Sequence, residues 1–328
     1  MTIQTGVAYF EGRAPRHTAR DLDDMVESGC TYVIHCYSEF DVRYGPDSMR
    51  RLVADTRARG LGVWLDPWGV GEVFGGEPFS RFGAVHPEAR QVDSNGQPNT
   101  HACLNQPAFR AWVHDWVDAA AVAGAETIFW DEPTWEIRGD VWSCRCERCQ
   151  ALFRERVGAA MPMEFVPEVK TFLETSMADL LSDACTYARG KGLENALCIM
   201  PPEASNPGFT DWDRAASIEG LDNFGTDPYW FSFGGDPAEF VGRHTLATIE
   251  VADRHGLDHH IWVQAFEVPA GREDEIGAAI DAAADAGATN IAAWSYDGCA
   301  ALSSCECSRP EAAWKVVADG FRRVRSRG

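Results

Sequence analysis

The stretch TIFWDEPTW (residues 127–135) decides how the rest of the chain is interpreted. Its first four residues predict a buried strand, and the strand ends abruptly in two adjacent carboxylates, Asp131 and Glu132. A strand gains nothing in its own packing from two acids at its tip. The stretch is therefore either a capped strand leading into a solvated loop or a strand that delivers two acids to a site.

Seven further strand-like segments occur along the chain, and a helical pattern follows each of them. Together with residues 127–130, the predicted strands are 6–12, 32–38, 62–69, 194–203, 223–230, 260–269 and 290–298. The predicted helices are 18–28, 46–59, 107–124, 167–191, 212–219, 237–255, 273–286 and 310–325. Continuous apolar runs indicate strands buried on both faces, as in a parallel sheet covered by helices. Eight such units predict a (β/α)8 TIM barrel that forms a single domain over residues 1–328.

The motifs, net charge and apolar content of the chain narrow the possible folds, partners and locations. A doubly wound open sheet would carry a GxGxxG phosphate loop after its first strand, and none is present. The net charge is −21, from 29 Lys and Arg against 50 Asp and Glu, which argues against nucleic acid and anionic membranes as partners. No secretory signal or apolar stretch of about 20 residues is found, so we expect a soluble cytoplasmic protein. The oligomeric state stays open, and a homo-oligomer is one option.

The ends of the predicted strands carry acids and aromatic rings. The acids are Glu11, Asp66, Asp131, Glu132, Glu203, Asp227, Glu267 and Asp297. The rings are Trp68, Trp130, Trp135, Tyr229, Trp230, Phe266, Trp294 and Tyr296. In a TIM barrel the C-terminal strand ends share one face, where the chemistry of such enzymes takes place. Like charges that converge there repel one another, so the acids must be solvated or functional.

Carboxylates among aromatic rings indicate a small carbohydrate substrate, because rings stack on sugar C–H faces and acids accept hydrogen bonds from hydroxyls. The predicted substrate-binding residues are Asp66, Trp68, Asp131, Trp135, Tyr229, Trp230, Trp294 and Tyr296. Two acids can then cleave a glycosidic bond, one as proton donor and the other as nucleophile or as base for water. Glu132 is the predicted proton donor, Glu267 the first choice for its partner and Asp227 the second.

Three cysteines form a C-x-C-x2-C motif, SCRCERC, just after the fourth predicted strand. The charged residues between Cys144, Cys146 and Cys149 argue against a place in the core. Tetrahedral zinc takes four ligands, at about 2.3 Å from sulfur. Cys103 is available as the fourth, at the end of a Gly-, Pro-, Asn- and Ser-rich segment, 69–106, that we expect to be irregular. The motif predicts a structural zinc in a cysteine-rich insert beside the barrel mouth.

The other cysteines give weaker signals. Cys299, Cys305 and Cys307 are either ligands or incidental thiols. Cys30, Cys36, Cys185 and Cys198 fall in apolar elements and are predicted to be buried small hydrophobes.

The run SCRCERCQALFRERVG (residues 143–158), with Cys103 upstream and an acid-bearing strand end before it, resembles the β-galactosidases of glycoside hydrolase family 42. The resemblance covers mainly residues 100–160. It implies a retaining glycosidase barrel in which Glu132 is the general acid/base. It also implies a zinc ion bound by Cys103, Cys144, Cys146 and Cys149. Two positions depart from the family: Asp131 replaces the usual Asn, and the seventh strand offers Gln264 and Glu267 without a clear nucleophile.

Two other functions remain open from the sequence. A divalent-metal isomerase or lyase acting on a sugar could draw its magnesium or manganese ligands from Asp66, Asp131, Glu203 and Asp227, with His35 or His101. A carbohydrate-binding barrel without catalysis would instead explain the neutral Gln264 on the seventh strand.

Overall fold

Eight parallel strands close into a barrel in the order in which they occur along the chain. The computed structural model describes residues 2–10, 12–206, 208–301 and 303–327, so Glu11 lies outside the described residues. The strands are β1 Gln4–Tyr9, β2 Tyr32–Cys36, β3 Gly62–Asp66, β4 Thr127–Asp131, β5 Glu194–Ile199, β6 Asn223–Thr226, β7 Asp258–Gln264 and β8 Asn290–Trp294. β1 pairs with both β2 and β8, which closes the sheet. The predicted TIM barrel is confirmed.

Helices cover the outside of the barrel. They are α1 Pro15–Glu27, α2 Glu39–Tyr44, α3 Pro46–Ala58, α4 Phe82–Val85, α5 Pro107–Ala123, α6 Glu147–Val157, α7 Pro167–Gly190, α8 Trp212–Ala216, α9 Trp230–Phe233, α10 Pro237–His255, α11 Asp274–Asp285 and α12 Pro310–Arg325. Proline opens several of them because its missing N–H has no partner in a first turn anyway. Gly124 and Gly256 end α5 and α10 in the left-handed conformation, which costs glycine little. Within the described ranges, no helix is both long and apolar enough to cross a membrane.

The lower half of the barrel interior is filled by large rings. Gly6 and Gly225 leave room for two of them, since a Cβ at either position would lie 2.1 Å from the ring of Tyr32 or 2.3 Å from that of His260. The polar atoms of these rings are satisfied near the strand starts. Tyr32 donates to Asn290 at 2.6 Å, and His260 Nδ1 lies 2.6 Å from the Asn223 oxygen. The barrel is therefore a packed core that opens only towards its ends.

The segment 69–106 is more regular than its composition predicts. It contains α4 and an antiparallel hairpin of Arg90–Val92 with Pro98–Ala102. The hairpin packs against the insert that follows β4, where Ile137–Arg138 pairs with Val141–Trp142. An isolated bridge between Asp93 and Ser143 joins the two. The expectation of irregular structure was wrong because this hairpin is ordered by tertiary contacts, which hydrophobic periodicity does not report.

Replacing Gly225 by Ala should destabilise the barrel. The new Cβ would lie 2.3 Å from His260 Nε2, and overpacking a buried site costs about 1–3 kcal/mol. Gly242→Ala is the matched control, because its nearest neighbour is Ala282 Cβ at 4.0 Å, and alanine favours the helix. Urea denaturation should show a lower free energy of unfolding for G225A and an equal or higher one for G242A. Equal stability of G225A and the unchanged protein would contradict the packing described above.

Candidate active site

Three strand ends bring buried acids to the C-terminal mouth of the barrel. Asp66 ends β3, Asp131 ends β4, and Asp227 directly follows β6. Because side chains alternate along a strand, Asp131 shares the inward face with Phe129, a residue of the barrel interior. Asp66 and Asp227 are 0% and 1% exposed, and Asp131 is 8% exposed. The barrel thus collects three of the acids predicted at strand ends.

Glu132 lies among these three aspartates. Its charge acts on the carboxyl groups of Asp66, Asp131 and Asp227. The Glu132 backbone is left-handed, with φ 37°, and its N–H donates to the Cys198 carbonyl at 3.1 Å. A non-glycine residue held in this region carries strain of about 1–3 kcal/mol, and such residues cluster at functional sites. The unusual backbone conformation at the strand end therefore directs the Glu132 side chain towards the three aspartates.

Burial raises the pKa of Asp66, Asp131 and Asp227 well above the ordinary range of an aspartate. For Asp66 the thiol of Cys36 opposes this rise, and the charge of Glu132 adds to it. For Asp131 and Asp227 the charge of Glu132 is the second cause of the raised pKa. Glu132 is therefore the acid whose charge reaches all three buried aspartates.

The carboxyl oxygens of Asp66 and Asp227 lack ordinary donors. All four oxygens are buried, and none has a hydrogen-bond partner of good geometry among the described residues. Only weakly donating thiols lie beside them, Cys36 next to Asp66 and Cys198 next to Asp227. Both cysteines are buried, as expected. Their contact with the acids was missed, although the strand alternation that places the acids inward could have indicated it.

An arc of aromatic rings lines the mouth. Phe10 stacks on Trp68 with ring centroids 5.0 Å apart and on Trp294 at 5.9 Å. Trp262 lies 5.7 Å from Trp294. On another part of the rim, Tyr229 meets Phe266 edge to face at 4.9 Å.

Sequence reasoning anticipated only part of this arc. Trp68, Trp294 and Tyr229 had been predicted as substrate-binding residues, and the structure places them at the mouth. Phe10 was missed, and Trp262, which contacts Trp294, is a buried residue of the barrel interior that is 1% exposed.

Three other aromatic residues predicted to bind substrate pack against helices. The indole of Trp135 donates to the Leu173 carbonyl at 3.0 Å, and that of Trp230 to Glu275 at 2.9 Å. Tyr296 donates to Asp24 at 3.1 Å. Trp135, Trp230 and Tyr296 are 2%, 1% and 7% exposed. Their polar atoms are therefore engaged away from the acids.

Glu267 and Glu203 lie apart from the acid cluster. Glu267 is exposed on the loop after β7, with φ 52°, and its N–H donates to the Cys305 carbonyl at 2.8 Å. The charges that act on the buried aspartates come from one another and from Glu132. Glu203 forms ion pairs with Arg243 at 2.9 Å and with His244 at 3.2 Å. The structure therefore brings Asp227, and not Glu267, against Glu132.

The two histidines considered as metal ligands also lie elsewhere. His35 Nε2 lies 2.9 Å from the Thr56 hydroxyl of α3, on the outer side of the sheet. His101 Nε2 lies 3.0 Å from Glu136, and its other nitrogen lies 3.6 Å from Glu72. Within the described ranges, the only group of three or more His, Cys, Asp or Glu side chains with ligand atoms inside 4.8 Å of one another consists of cysteines. The acid cluster does not form a ready divalent-metal site.

The glycine-rich loop after β3 covers one side of the acids. Gly75 donates its N–H to the Asp131 carbonyl at 2.9 Å, and a Cβ there would lie 2.3 Å from the Asp131 carboxylate. The buried carboxylate of Glu39 holds the same loop by accepting from Gly71 N at 3.0 Å and from the Ser80 hydroxyl at 2.7 Å. Only glycine lets the backbone approach Asp131 this closely.

The four cysteines predicted to bind zinc converge into one buried cluster. The sulfur atoms of Cys103, Cys144, Cys146 and Cys149 lie within 4.8 Å of one another. Cys103 Sγ is 3.6 Å from Cys146 Sγ and 3.5 Å from Cys149 Sγ. Tetrahedral ligands at about 2.3 Å from zinc stand about 3.8 Å apart, so this spacing fits a metal and is too long for a disulfide.

Polar hydrogens surround the sulfurs of this cluster. The Val92 N–H donates to Cys144 Sγ at 3.4 Å, and the Asn105 side-chain amide donates to Cys149 Sγ at 3.3 Å. Such donors stabilise thiolates and orient them around a metal. The cluster joins the end of the hairpin to the insert after β4, and it could hold a metal ion.

A cleft lies at the opposite end of the barrel from the acids. This cleft of about 820 Å³ is bordered by the first residues of several strands, including Gln4, Thr127 and Glu194. Its Glu126 is engaged by Arg57 at 3.2 Å and by the Val63 N–H at 2.8 Å. In TIM barrels this N-terminal end serves stability, whereas the chemistry lies at the other end. The acid-lined mouth is therefore the candidate site, although this cleft is larger than the grooves along the helices.

Solved structures with the same fold include sugar-active enzymes, although no protein-family model and no curated protein sequence matches this chain. The β-amylase catalytic domain of Paenibacillus polymyxa aligns with TM-score 0.68 at 10% identity, over 96% of this chain and 98% of that one. The endo-β-1,4-mannanase of Thermotoga petrophila aligns with TM-score 0.63 at 11% identity, over 99% of this chain and 77% of that one. A D-psicose 3-epimerase of Clostridium cellulolyticum H10 aligns with TM-score 0.54 at 11% identity, over 99% of this chain and 97% of that one. The likeness establishes the barrel fold.

Asp66→Asn should make stability less sensitive to alkaline pH. An unfolded aspartate titrates near 3.9, and the folded pKa of Asp66 is higher, so stability falls as pH rises between the two values. The neutral amide removes this loss. Urea denaturation at pH 4 and pH 8 should show D66N gaining stability over the unchanged protein at pH 8, by about 1.4 kcal/mol per pKa unit of the shift.

Asp118→Asn is the control for this comparison. A hydrogen bond from Lys191 lowers the pKa of Asp118, so its ionised form stabilises the folded state above pH 4. D118N should gain nothing at pH 8. A D66N protein that loses stability at pH 8 relative to pH 4 as steeply as the unchanged protein would contradict the raised pKa.

Proposed function

We propose that the protein is a glycoside hydrolase in which Glu132 and Asp227 form the pair of catalytic carboxyls. The observation that carries the proposal is the convergence of Glu132 with buried aspartates at the C-terminal mouth, where the charge of Glu132 acts on Asp227 and both Asp227 oxygens are unpaired. Glycoside hydrolysis requires two carboxyl groups that hold different protonation states at the same pH. A β-amylase and a mannanase are among the solved structures with the same fold, which is compatible with this reaction class.

Glu132 is the proposed proton donor. It is half-buried, whereas Asp227 is 1% exposed, so its side chain has the freedom to follow the leaving oxygen. Glu132 gives its proton to the glycosidic oxygen as the bond to the anomeric carbon breaks, and the leaving sugar departs as an alcohol. Asp227 then either bonds to the anomeric carbon or takes a proton from the water that attacks it.

The separation of the two carboxyls decides between two forms of this mechanism. A retaining mechanism needs about 5–5.5 Å between them, and an inverting one about 6.5–9.5 Å.

The remaining mouth residues are assigned to sugar binding. Trp68, Trp294 and Tyr229 supply ring faces, with Phe10 extending the arc between the two tryptophans. Asp66 and Asp131 are proposed to form hydrogen bonds with the substrate. Trp135, Trp230 and Tyr296, which the sequence suggested as further contacts, are proposed to support the mouth from behind, because their polar atoms bond to helices α7, α11 and α1.

Glu132→Gln should lower kcat on a cleavable glycoside by about 10²–10⁴-fold, because the amide cannot donate the proton. Asp227→Asn should cause a loss of similar size. A panel of nitrophenyl glycosides would identify a substrate and supply the rates, and circular dichroism would check folding. Full activity of E132Q would remove Glu132 from the mechanism.

Two controls separate the candidate partners of Glu132. Glu267→Gln should keep most of the activity, because Glu267 is exposed and apart from the cluster. Glu203→Gln alters an acid paired with Arg243 outside the cluster and should also remain active. Activity that survives in D227N but disappears in E267Q would transfer the partner role to Glu267.

A carbohydrate-binding barrel without catalysis is the second candidate, and Gln264 is the observation that favours it. This inward-facing residue at the end of β7 is neutral, and its side chain is engaged by the Phe231 N–H at 3.0 Å and by the Phe266 carbonyl at 3.3 Å. Sugar binding without turnover across the whole glycoside panel would favour this candidate over hydrolysis. The metal-dependent isomerase has less support, because the acids do not form a compact ligand set.

We also propose that the four-cysteine cluster binds zinc, as the sulfur spacing of 3.5–3.6 Å suits a tetrahedral ion. Metal analysis of the purified protein should find about one zinc per chain. Cys103→Ser should remove most of it and expose the hairpin and insert to limited proteolysis. Cys185→Ser changes a buried cysteine outside the cluster and should keep the metal. A folded, protease-resistant protein without metal would contradict the assignment.

A further inference from the structure

Among the described residues, the main charges that act on Asp66, Asp131 and Asp227 are negative and come from neighbouring carboxyls. Arg13, whose charge acts on the Cys36 thiol beside Asp66, is already paired with Asp41 at 3.3 Å. Elsewhere the chain pairs many of its acids with arginine, as in Glu273 with Arg309 or Asp213 with Arg254 at 2.9 Å. Buried carboxylates are normally paired or bound to a metal, because an unpaired buried charge costs several kcal/mol.

Two of these acids point their polar atoms into the mouth without partners. Asp66 and Asp227 are at most 1% exposed, and all four of their carboxyl oxygens are unpaired. The thiols beside them, Cys36 and Cys198, are too weak as donors to replace water. In the free protein, bound protons neutralise part of the negative charge. Whenever the carboxyl groups ionise, however, their oxygens lack hydrogen-bond donors.

The walls beside the acids also suit a cation. Trp68 and Trp294 are half-buried on either side of Phe10, so part of each indole is accessible. Tryptophan faces attract cations within about 6 Å by about 0.5–2 kcal/mol. Negative acceptors beside accessible indole rings are the surroundings that an organic ammonium group prefers.

We propose that the mouth recognises a substrate carrying a protonated amine and that this substrate is an amino sugar. The amine would donate to Asp66 and to its neighbour Asp131, while Glu132 and Asp227 act at the glycosidic bond. The sugar and its cleavage rest on the proposed function, whereas the recognition of the amine rests on the unpaired oxygens of Asp66, the neighbouring Asp131 carboxyl and the accessible indoles. A neutral sugar would fill the same hydroxyl contacts but leave the negative charge uncompensated.

A divalent metal ion is a poorer match for the same charge. Metals such as magnesium need several oxygen ligands at about 2.0–2.6 Å, which places those oxygens close together. No three carboxyl groups of this mouth meet within 4.8 Å among the described residues. An ammonium group needs only one or two carboxylates at about 2.7–2.9 Å from its nitrogen. The observed spacing therefore favours an amine.

Calorimetric titration at pH 6.5 tests the amine recognition. Glucosamine, galactosamine and mannosamine are compared with their N-acetyl forms and with glucose, galactose and mannose, which keep the ring but lack the charge. We expect at least one amino sugar to bind 10-fold or more tightly than both of its neutral counterparts. Equal affinities within every set, or no binding by any amino sugar, would overturn the proposal. So would tight binding of manganese by the acids without amine selectivity, shown by a titration that D66N abolishes and C103S leaves intact.

Variants connect the selectivity to named residues. Asp66→Asn and Asp131→Asn should reduce the preference for the amine to less than 3-fold, while Glu203→Gln should keep it in full. Because D66N removes only a charge from a buried acid, urea denaturation should show it folded. Unchanged selectivity in both D66N and D131N would overturn the assignment of the amine site.

Hydrolysis assays separate this inference from the proposed function. Cleavage of neutral nitrophenyl glycosides as fast as the corresponding aminoglycosides would leave the hydrolase intact and overturn amine recognition. Selective binding of amino sugars without cleavage of any glycoside would support amine recognition and overturn the proposed hydrolase. Preferred cleavage of an aminoglycoside, lost in E132Q, would support both.

Discussion

Everything at the mouth depends on the closure of the parallel barrel combined with the alternation of side chains along each strand. Closure brings the ends of β3, β4 and β6 to one opening, and alternation turns Asp66, Asp131 and Asp227 inward. Without closure these acids would be spread along the edge of a sheet, solvated and far apart. Because the barrel below is filled by rings such as those of Tyr32 and His260, the strand ends cannot relax inward. The acids are therefore held together against their mutual repulsion.

The loops around the opening maintain this arrangement. Glu39 fixes the glycine-rich loop after β3, and Gly75 brings that loop against Asp131. On the adjacent side, the cysteine cluster joins the hairpin to the insert that begins just after Glu132. Both devices connect segments distant in sequence, and both act on the strand that carries Asp131. The polar rim is thus braced on two sides.

The mouth combines buried carboxyls with accessible indole rings. The charge of Glu132 acts on Asp227, and the oxygens of Asp66 and Asp227 are acceptors without partners. The first observation underlies the proposed cleavage of a glycosidic bond, and the second underlies the proposed recognition of an amine. The two proposals can therefore be tested separately.

The sequence by itself determined the barrel, the acids at the ends of β3, β4 and β6, and the zinc-type cysteine motif. Each of these is written in local patterns: apolar runs with helical segments between them, an acid at the end of a run, and thiols at close spacing. Even Cys103 could be joined to the motif, because the motif left one ligand missing. Glu132 was also visible in the sequence, because it is the second of two acids at the end of a strand whose packing needs neither.

Only the tertiary structure decided which acids meet. Glu267 and Asp227 look equivalent as strand-end acids, yet Glu267 turns to solvent while Asp227 faces Glu132. Likewise Trp135 and Trp68 both follow strands, but only Trp68 lines the mouth. A side chain beyond the last strand residue has no fixed period, so its direction depends on loop contacts with distant segments. The partners of Glu132 are therefore properties of the closed barrel.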